Sequence, residues 1–147
     1  MIMTTIIVTN GKVYFPTNVK TSAGYFFDTE PILITDLNLE SVAGVIEKKR
    51  VAANPVISDT EFAQLRTKKL PILNVSKKRS QKELAKTGTS YAISWTEDYI
   101  FLSISSLDRK NRWVYDAEKG KHFPIDTNND DLASVIIEDA MSRPEVL

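Results

Sequence analysis

The chain opens on a run of β-branched residues, Thr4 to Thr9, that ends at Asn10-Gly11. That dipeptide supplies the two positive-φ positions of a type I′ turn, so Lys12 to Phe15 is predicted to return as the second arm of a hairpin. A further β run starts at Gly24, with Tyr25 to Phe27 and then Ile32 to Thr35 across Pro31. At Leu39 the period changes. Leu39, Val42, Ala43 and Ile46 fall at i, i+3, i+4 and i+7, the spacing of one helix face. Asp36 or Asn38 can cap this helix, and Lys48, Lys49 and Arg50 suit its negative C-terminal end. Two capping boxes follow. Ser58-Asp59-Thr60-Glu61 opens a short helix carrying Phe62 and Leu65, and Ser80-Gln81-Lys82-Glu83 opens another that Gly88 can close. Between them, Pro71 to Val75 is expected to form a short strand.

The clearest β pattern spans residues 89–115. Tyr91, Ile93 and Trp95 alternate with small or polar residues, and Ile100, Leu102 and Ile104 alternate with Tyr99, Phe101 and Ser103. A polar link, Asp108 to Asn111, leads to Trp113, Val114 and Tyr115, which predicts a three-strand antiparallel meander. Tyr99 and Phe101 make both faces of the 99–105 strand partly apolar, which favours a central strand. The last helix is expected from about Asn129 to Met141, with Leu132, Val135, Ile136 and Ala140 facing inward and Pro144 ending it. The order ββ-α-α-β-α-βββ-α points to an α+β fold, an antiparallel sheet packed by helices, with residues 1–147 as a single domain.

Composition narrows the function classes. The chain has 147 residues, 42% hydrophobic and 26% charged, which excludes disorder and coiled coil. It has no cysteine, which removes disulfides, thiolate catalysis and cysteine zinc sites, and a single histidine, which removes two-histidine metal sites. Nineteen basic and nineteen acidic residues cancel, against a uniformly basic nucleic-acid binder. The charge is nonetheless segregated. Residues 1–47 carry two basic and five acidic residues (net −3), residues 48–86 eleven and three (net +8), and residues 87–147 six and eleven (net −5). The opening residues lack the basic and long apolar regions of a signal peptide and no apolar run approaches a membrane span, so a cytoplasmic location is expected.

Candidate chemistry is sparse. His122 lies in a polar stretch without a nucleophile motif to orient it, so it is expected to be a solvated loop residue. The stretch from Asp126 to Asp131 resembles the start of a calcium loop, but Asp131 stands where glycine is required and Ile137 where glutamate is required. A helix cap, with acids at the positive helix end, accounts for it better. No glycine-rich phosphate loop is present, and no spacing singles out an acid/base pair or metal site. The basic segment has two readings. Lys68, Lys69, Lys77, Lys78, Arg79, Lys82 and Lys86 could follow a phosphate backbone with Tyr91 or Trp95 stacking on bases, or form an ordinary solvated face.

Four stretches, NGKVYFP at 10–16, GYFFDTEPILI at 24–34, KKRSQKELAKTGTSYAISWTEDYIFLSIS at 77–105 and RWVYDAE at 112–118, together resemble the immunity proteins of bacterial contact-dependent growth inhibition systems. Where that family's small basic helix tends to carry aromatics, this sequence has Gln81 and Leu84. The resemblance implies a non-enzymatic, cofactor-free cytoplasmic protein. Its partner would be the C-terminal domain of a toxin, commonly a nuclease, encoded beside it. A basic nuclease cleft would call for carboxylates, and the densest acids are Asp116, Glu118, Asp126, Asp130 and Asp131. The basic patch of Lys77, Lys78, Arg79, Lys82 and Lys86 is the alternative contact surface. The alternative functions are a small RNA-associated protein using residues 68–86 and a hydrolase or nuclease.

Overall fold

The computed structural model describes residues 1–147. The strands are β1 (Ile2–Thr9), β2 (Lys12–Lys20), β3 (Phe26–Asp36), β4 (Gly88–Trp95), β5 (Tyr99–Leu107), β6 (Trp113–Tyr115) and β7 (Lys121–Pro124). The helices are α1 (Leu39–Arg50), α2 (Asp59–Leu65), α3 (Pro71–Ser76), α4 (Gln81–Thr87) and α5 (Asn129–Met141), followed by a 3₁₀ turn at Pro144–Val146. The fold is α+β, as the pattern predicts. All strand pairings within the sheet are antiparallel, in the order β3-β2-β1-β4-β5-β6, and β7 pairs the first half of β5 along the same edge as β6. No helix is long and apolar enough to cross a membrane.

Local chemistry sets most element boundaries. Asn10 and Gly11 adopt φ of 56° and 67°, which closes the β1–β2 hairpin in the expected turn. Asn38, Ser58, Ser80 and Asn128 each accept a backbone N–H three residues on, at 2.8–3.1 Å, and so start α1, α2, α4 and α5. β3 runs unbroken past Pro31, which the sheet tolerates because β3 is an edge strand.

Two expectations are corrected. Pro71 to Val75 is helical, not extended. Pro71 occupies the first turn, where its missing N–H costs nothing, and Lys77 at φ 60° closes the helix after Ser76. Ile72, Leu73 and Ser76 are its buried face, a pattern too short to separate from a strand by periodicity. His122 lies not in a loop but in β7, which completes the edge beside β6.

The two faces of the sheet are covered unequally. Ile6, Val8, Val13, Phe15, Tyr91, Ile93 and Trp95 point to one face, where α1 and α5 bury them under Val42, Ile46, Leu132 and Ile136. Leu39, expected on the inner helix face, is exposed in the first turn of α1. Arg50 ties this layer together: its guanidinium donates to the Ile125 and Thr127 carbonyls and to Asn129 Oδ1, fixing α1 to the approach to α5. The opposite face holds a smaller cluster, Ile7 and Tyr14 under Ile72, Leu73 and Leu84 of α3 and α4.

Gly88 permits that second contact. It has an extended φ of −143°, so no left-handed cap requires glycine here. A Cβ would instead lie 2.9 Å from the Leu84 carbonyl oxygen and 3.1 Å from that of Val8. Gly88→Ala is therefore expected to lower stability by about 1–3 kcal/mol through overpacking against backbone. Gly44 inside α1 has open space around its missing Cβ. Gly44→Ala should raise stability by about 0.5–1 kcal/mol. Thermal unfolding of the two variants checks the opposite signs, and equal effects would contradict this packing.

A candidate binding groove on the open sheet face

α3 and α4 cover only one end of their face, and a groove of about 800 Å³ remains beside them. Its floor is Met3, Thr5 and Ile7 of β1 with Ser90 of β4, the positions between the core residues of those strands. One wall is β3, through Phe26, Phe27 and Ile32. The facing wall is β6 with the preceding loop, through Trp113 and Tyr115, while Leu70, Ile72 and Leu84 close the helical end. The volume falls within the usual range for binding clefts, and the lining is mainly apolar and aromatic with a few polar groups.

Those polar groups are placed by specific contacts. In the floor, Asp28 Oδ1 accepts from Thr5 Oγ1 at 3.1 Å and from Asn18 Nδ2. Asn18 itself is buried and also bridges Thr5, accepting from its N–H and donating to its hydroxyl. Asp28 Oδ2 accepts no hydrogen bond. Burial pushes the Asp28 carboxyl up to about 6, against the opposing pull of Thr5, Asn18 and the Lys49 ammonium. At the rim, Asp108 organises the turn before β6. Its Oδ1 accepts the N–H groups of Lys110 and Arg112, and its Oδ2 accepts Arg112 Nε at 3.0 Å. The Arg112 N–H chiefly holds the Asp108 carboxyl below the usual range. That turn sets Lys110 and Arg112 at the mouth of the groove, with Lys82 of α4 also on its wall. Trp113 Nε1 donates to the Gly88 carbonyl at 3.3 Å, which seats the indole against α4 and β4.

The residues singled out from sequence are distributed differently from expectation. Tyr91 is fully buried and Trp95 is 5% exposed, so neither can stack on a base. Tyr91 instead donates to Asp139 Oδ2, which also pairs with Arg143 Nε at 3.0 Å under α5. Burial foremost, then Asp139, raises the Tyr91 phenol far above its ordinary range. Alternation placed the two aromatics in a strand correctly, but it could not show which face the helices cover. Lys68, Lys69, Lys77, Arg79, Lys82 and Lys86 are exposed around α3 and α4, whereas Lys78 is half-buried and donates to Asn10 Oδ1 at 2.9 Å.

The five carboxylates fall into separate groups. Asp126, Asp130 and Asp131 are exposed before and within the first turn of α5. Glu118 lies near the other end of that helix, beside Glu138 and Asp139. Asp116 is half-buried and accepts the Glu118 N–H at 2.9 Å, which shapes the turn between β6 and β7. His122 is exposed, its ring 5.0 Å from that of Tyr99 and 4.6 Å from that of Phe101 between centroids. Asp28, Trp113 and Tyr115 escaped attention as a site. Their one signal was an acid inside the apolar GYFFDTEPILI run.

No protein-family model matches the chain, and no curated protein matches its sequence. Its fold does match solved structures over nearly the whole length. A protein of unknown function from Neisseria meningitidis is similar at TM-score 0.71 and 13% identity, over 97% of this chain and 94% of that one. A chain of a CdiA-CT/CdiI toxin and immunity complex from Yersinia pseudotuberculosis is similar at TM-score 0.62 and 10% identity, over 97% of this chain and 96% of that one. At such identities the likeness is one of fold.

Asp28 yields a pH prediction. Its pKa is higher folded than unfolded, so the folded state holds the extra proton between pH 3.8 and about 6. The stability associated with protonated Asp28 is present below pH 3.8 and is lost as pH rises through about 6. Asp28→Asn mimics the protonated form and should flatten the pH dependence across that window. Relative to the natural chain, it should gain stability between pH 4 and pH 7 in urea titrations. A constant difference would show that Asp28 ionises as freely in the fold as in the unfolded chain.

Proposed function

We propose that this chain is a bacterial immunity protein. Residues 1–147 act as one domain that binds the toxic C-terminal domain of a contact-dependent growth inhibition system and neutralises it in the cytoplasm, without catalysis or cofactor. The observation that carries this reading joins sequence to geometry. The four stretches that resemble the immunity family contribute β2, β3, α4 through β5, and β6, and they converge on the groove through Pro16, Phe26, Phe27, Asp28, Lys82, Trp113 and Tyr115. The likeness to a chain of a toxin and immunity complex is consistent with it. A site for phosphate-backbone binding at residues 68–86 loses its proposed stacking partners, because Tyr91 and Trp95 belong to the core.

The carboxylates remain candidate contacts for a basic toxin cleft, Asp116 while also shaping its own turn. Glu118, Asp126, Asp130 and Asp131 are exposed, with Asp130 and Asp131 also favoured by the positive end of α5.

The test is co-expression with the toxic domain encoded in the neighbouring reading frame, followed by a binding titration. Cells expressing the chain should survive, and the purified proteins should form a 1:1 complex. Glu118→Lys with Asp126→Lys should slow association, as rim charges do, with a smaller change in dissociation. His122→Ala should protect as fully as the natural chain. Failure to protect despite normal folding would overturn the reading.

A further inference from the structure

The groove has a polarity that identifies its occupant. Its mouth carries three cations, Lys82, Lys110 and Arg112, of which only Arg112 is paired, to Asp108. Its walls are aromatic and aliphatic, and the half-buried Asp28 offers an unused acceptor oxygen from the floor. A purely apolar ligand would leave that oxygen desolvated and unpaired. A basic segment would face the cationic mouth. An extended polypeptide bearing acidic side chains satisfies all three features. Its carboxylates meet the rim, a large apolar side chain enters against Trp113, and a backbone N–H donates to Asp28 Oδ2.

We propose that the groove between β3 and β6 seats an acidic, extended segment of the partner protein, anchored by one large apolar side chain and flanked by carboxylates at Lys82, Lys110 and Arg112. This rests on the toxin-binding reading. It adds a contact surface on the sheet face opposite α5, away from the acids around that helix. The turn held by Asp108 presents two of the three cations before any partner arrives, so little ordering is required at the rim. Tyr115, 51% exposed and on the same face of β6 as Trp113, continues the apolar wall outward.

The experiment titrates the natural chain and Lys82→Glu/Lys110→Glu with the toxic domain from the neighbouring reading frame. Both lysines are exposed, so the double variant should fold, and Lys82→Arg/Lys110→Arg provides the charge-conserving control. The reversed pair should bind about tenfold more weakly and the arginine pair equally well. Trp113 is a built-in reporter, because the other tryptophan, Trp95, is sealed in the core. Toxin should shift the emission of the natural chain but not of Trp113→Phe. If the natural chain binds while the reversed pair binds equally and the emission stays fixed, the groove is not the seat, and the toxin-binding reading survives. If the natural chain does not bind, both fall. Two other outcomes give the groove to another occupant and overturn the inference: salt-sensitive quenching of Trp113 by oligouridylate, or a self-dimer that the reversed pair dissolves.

Discussion

The pairing of β1 with β4 is the constraint on which the rest depends. Ile2 lies opposite Trp95, Ile6 opposite Tyr91, and Thr9 opposite Gly88, so the register holds along the whole of both strands. The pair joins an N-terminal hairpin to a C-terminal meander and leaves residues 37–87 as a crossing segment. That segment supplies α1 to one face and α3 and α4 to the other. A slip of one residue between β1 and β4 would turn either Ile6 and Val8 or Tyr91 and Ile93 away from α1 and α5 and bring Thr5 or Ser90 and Ala92 inward. Closing so long a loop costs entropy before any contact repays it, and the apolar layer under the two long helices is the return.

The same register makes the faces unlike. One is filled by long helices, sealed by Arg50 at one end and by the Tyr91, Asp139 and Arg143 network at the other. Apart from Ile7, which α3 and α4 cover, the opposite face of β1 and β4 presents Thr5, Ser90 and Ala92, small or polar side chains that do not demand full cover. Short helices suffice there, and Gly88 lets one approach the strands closely. What they leave open is the groove. Its polar groups are held by local bonds, Asp28 by Thr5 and Asn18, and the rim cations by Asp108. A binding surface built this way changes little on occupation, which favours affinity.

Local chemistry was the legible part of the sequence. Asn10-Gly11, the serine capping boxes and the alternation of residues 89–105 each specify backbone geometry over a few residues, and each reappears in the fold. The α+β class followed from them. The miss at Pro71 to Val75 has the same origin in reverse, since an apolar run of five residues carries no usable period and its surroundings decide. β7 was invisible because its Lys121, His122, Phe123 and Pro124 lean on β5 at an edge, where no alternation is imposed. The groove was least legible. It exists because β3, β6, α3 and α4 meet around β1, and no window of sequence contains more than one of its walls.

Hydrogen exchange of the chain alone and with the proposed toxin partner probes most directly whether the incompletely covered sheet face is the contact surface. Amides in residues 26–32, 81–85 and 110–115 should slow on complex formation, while those of α1 keep their rates. Slowing confined to residues 39–50 and 129–141, with the groove walls unchanged, would contradict it and give the interface to the opposite side of the molecule.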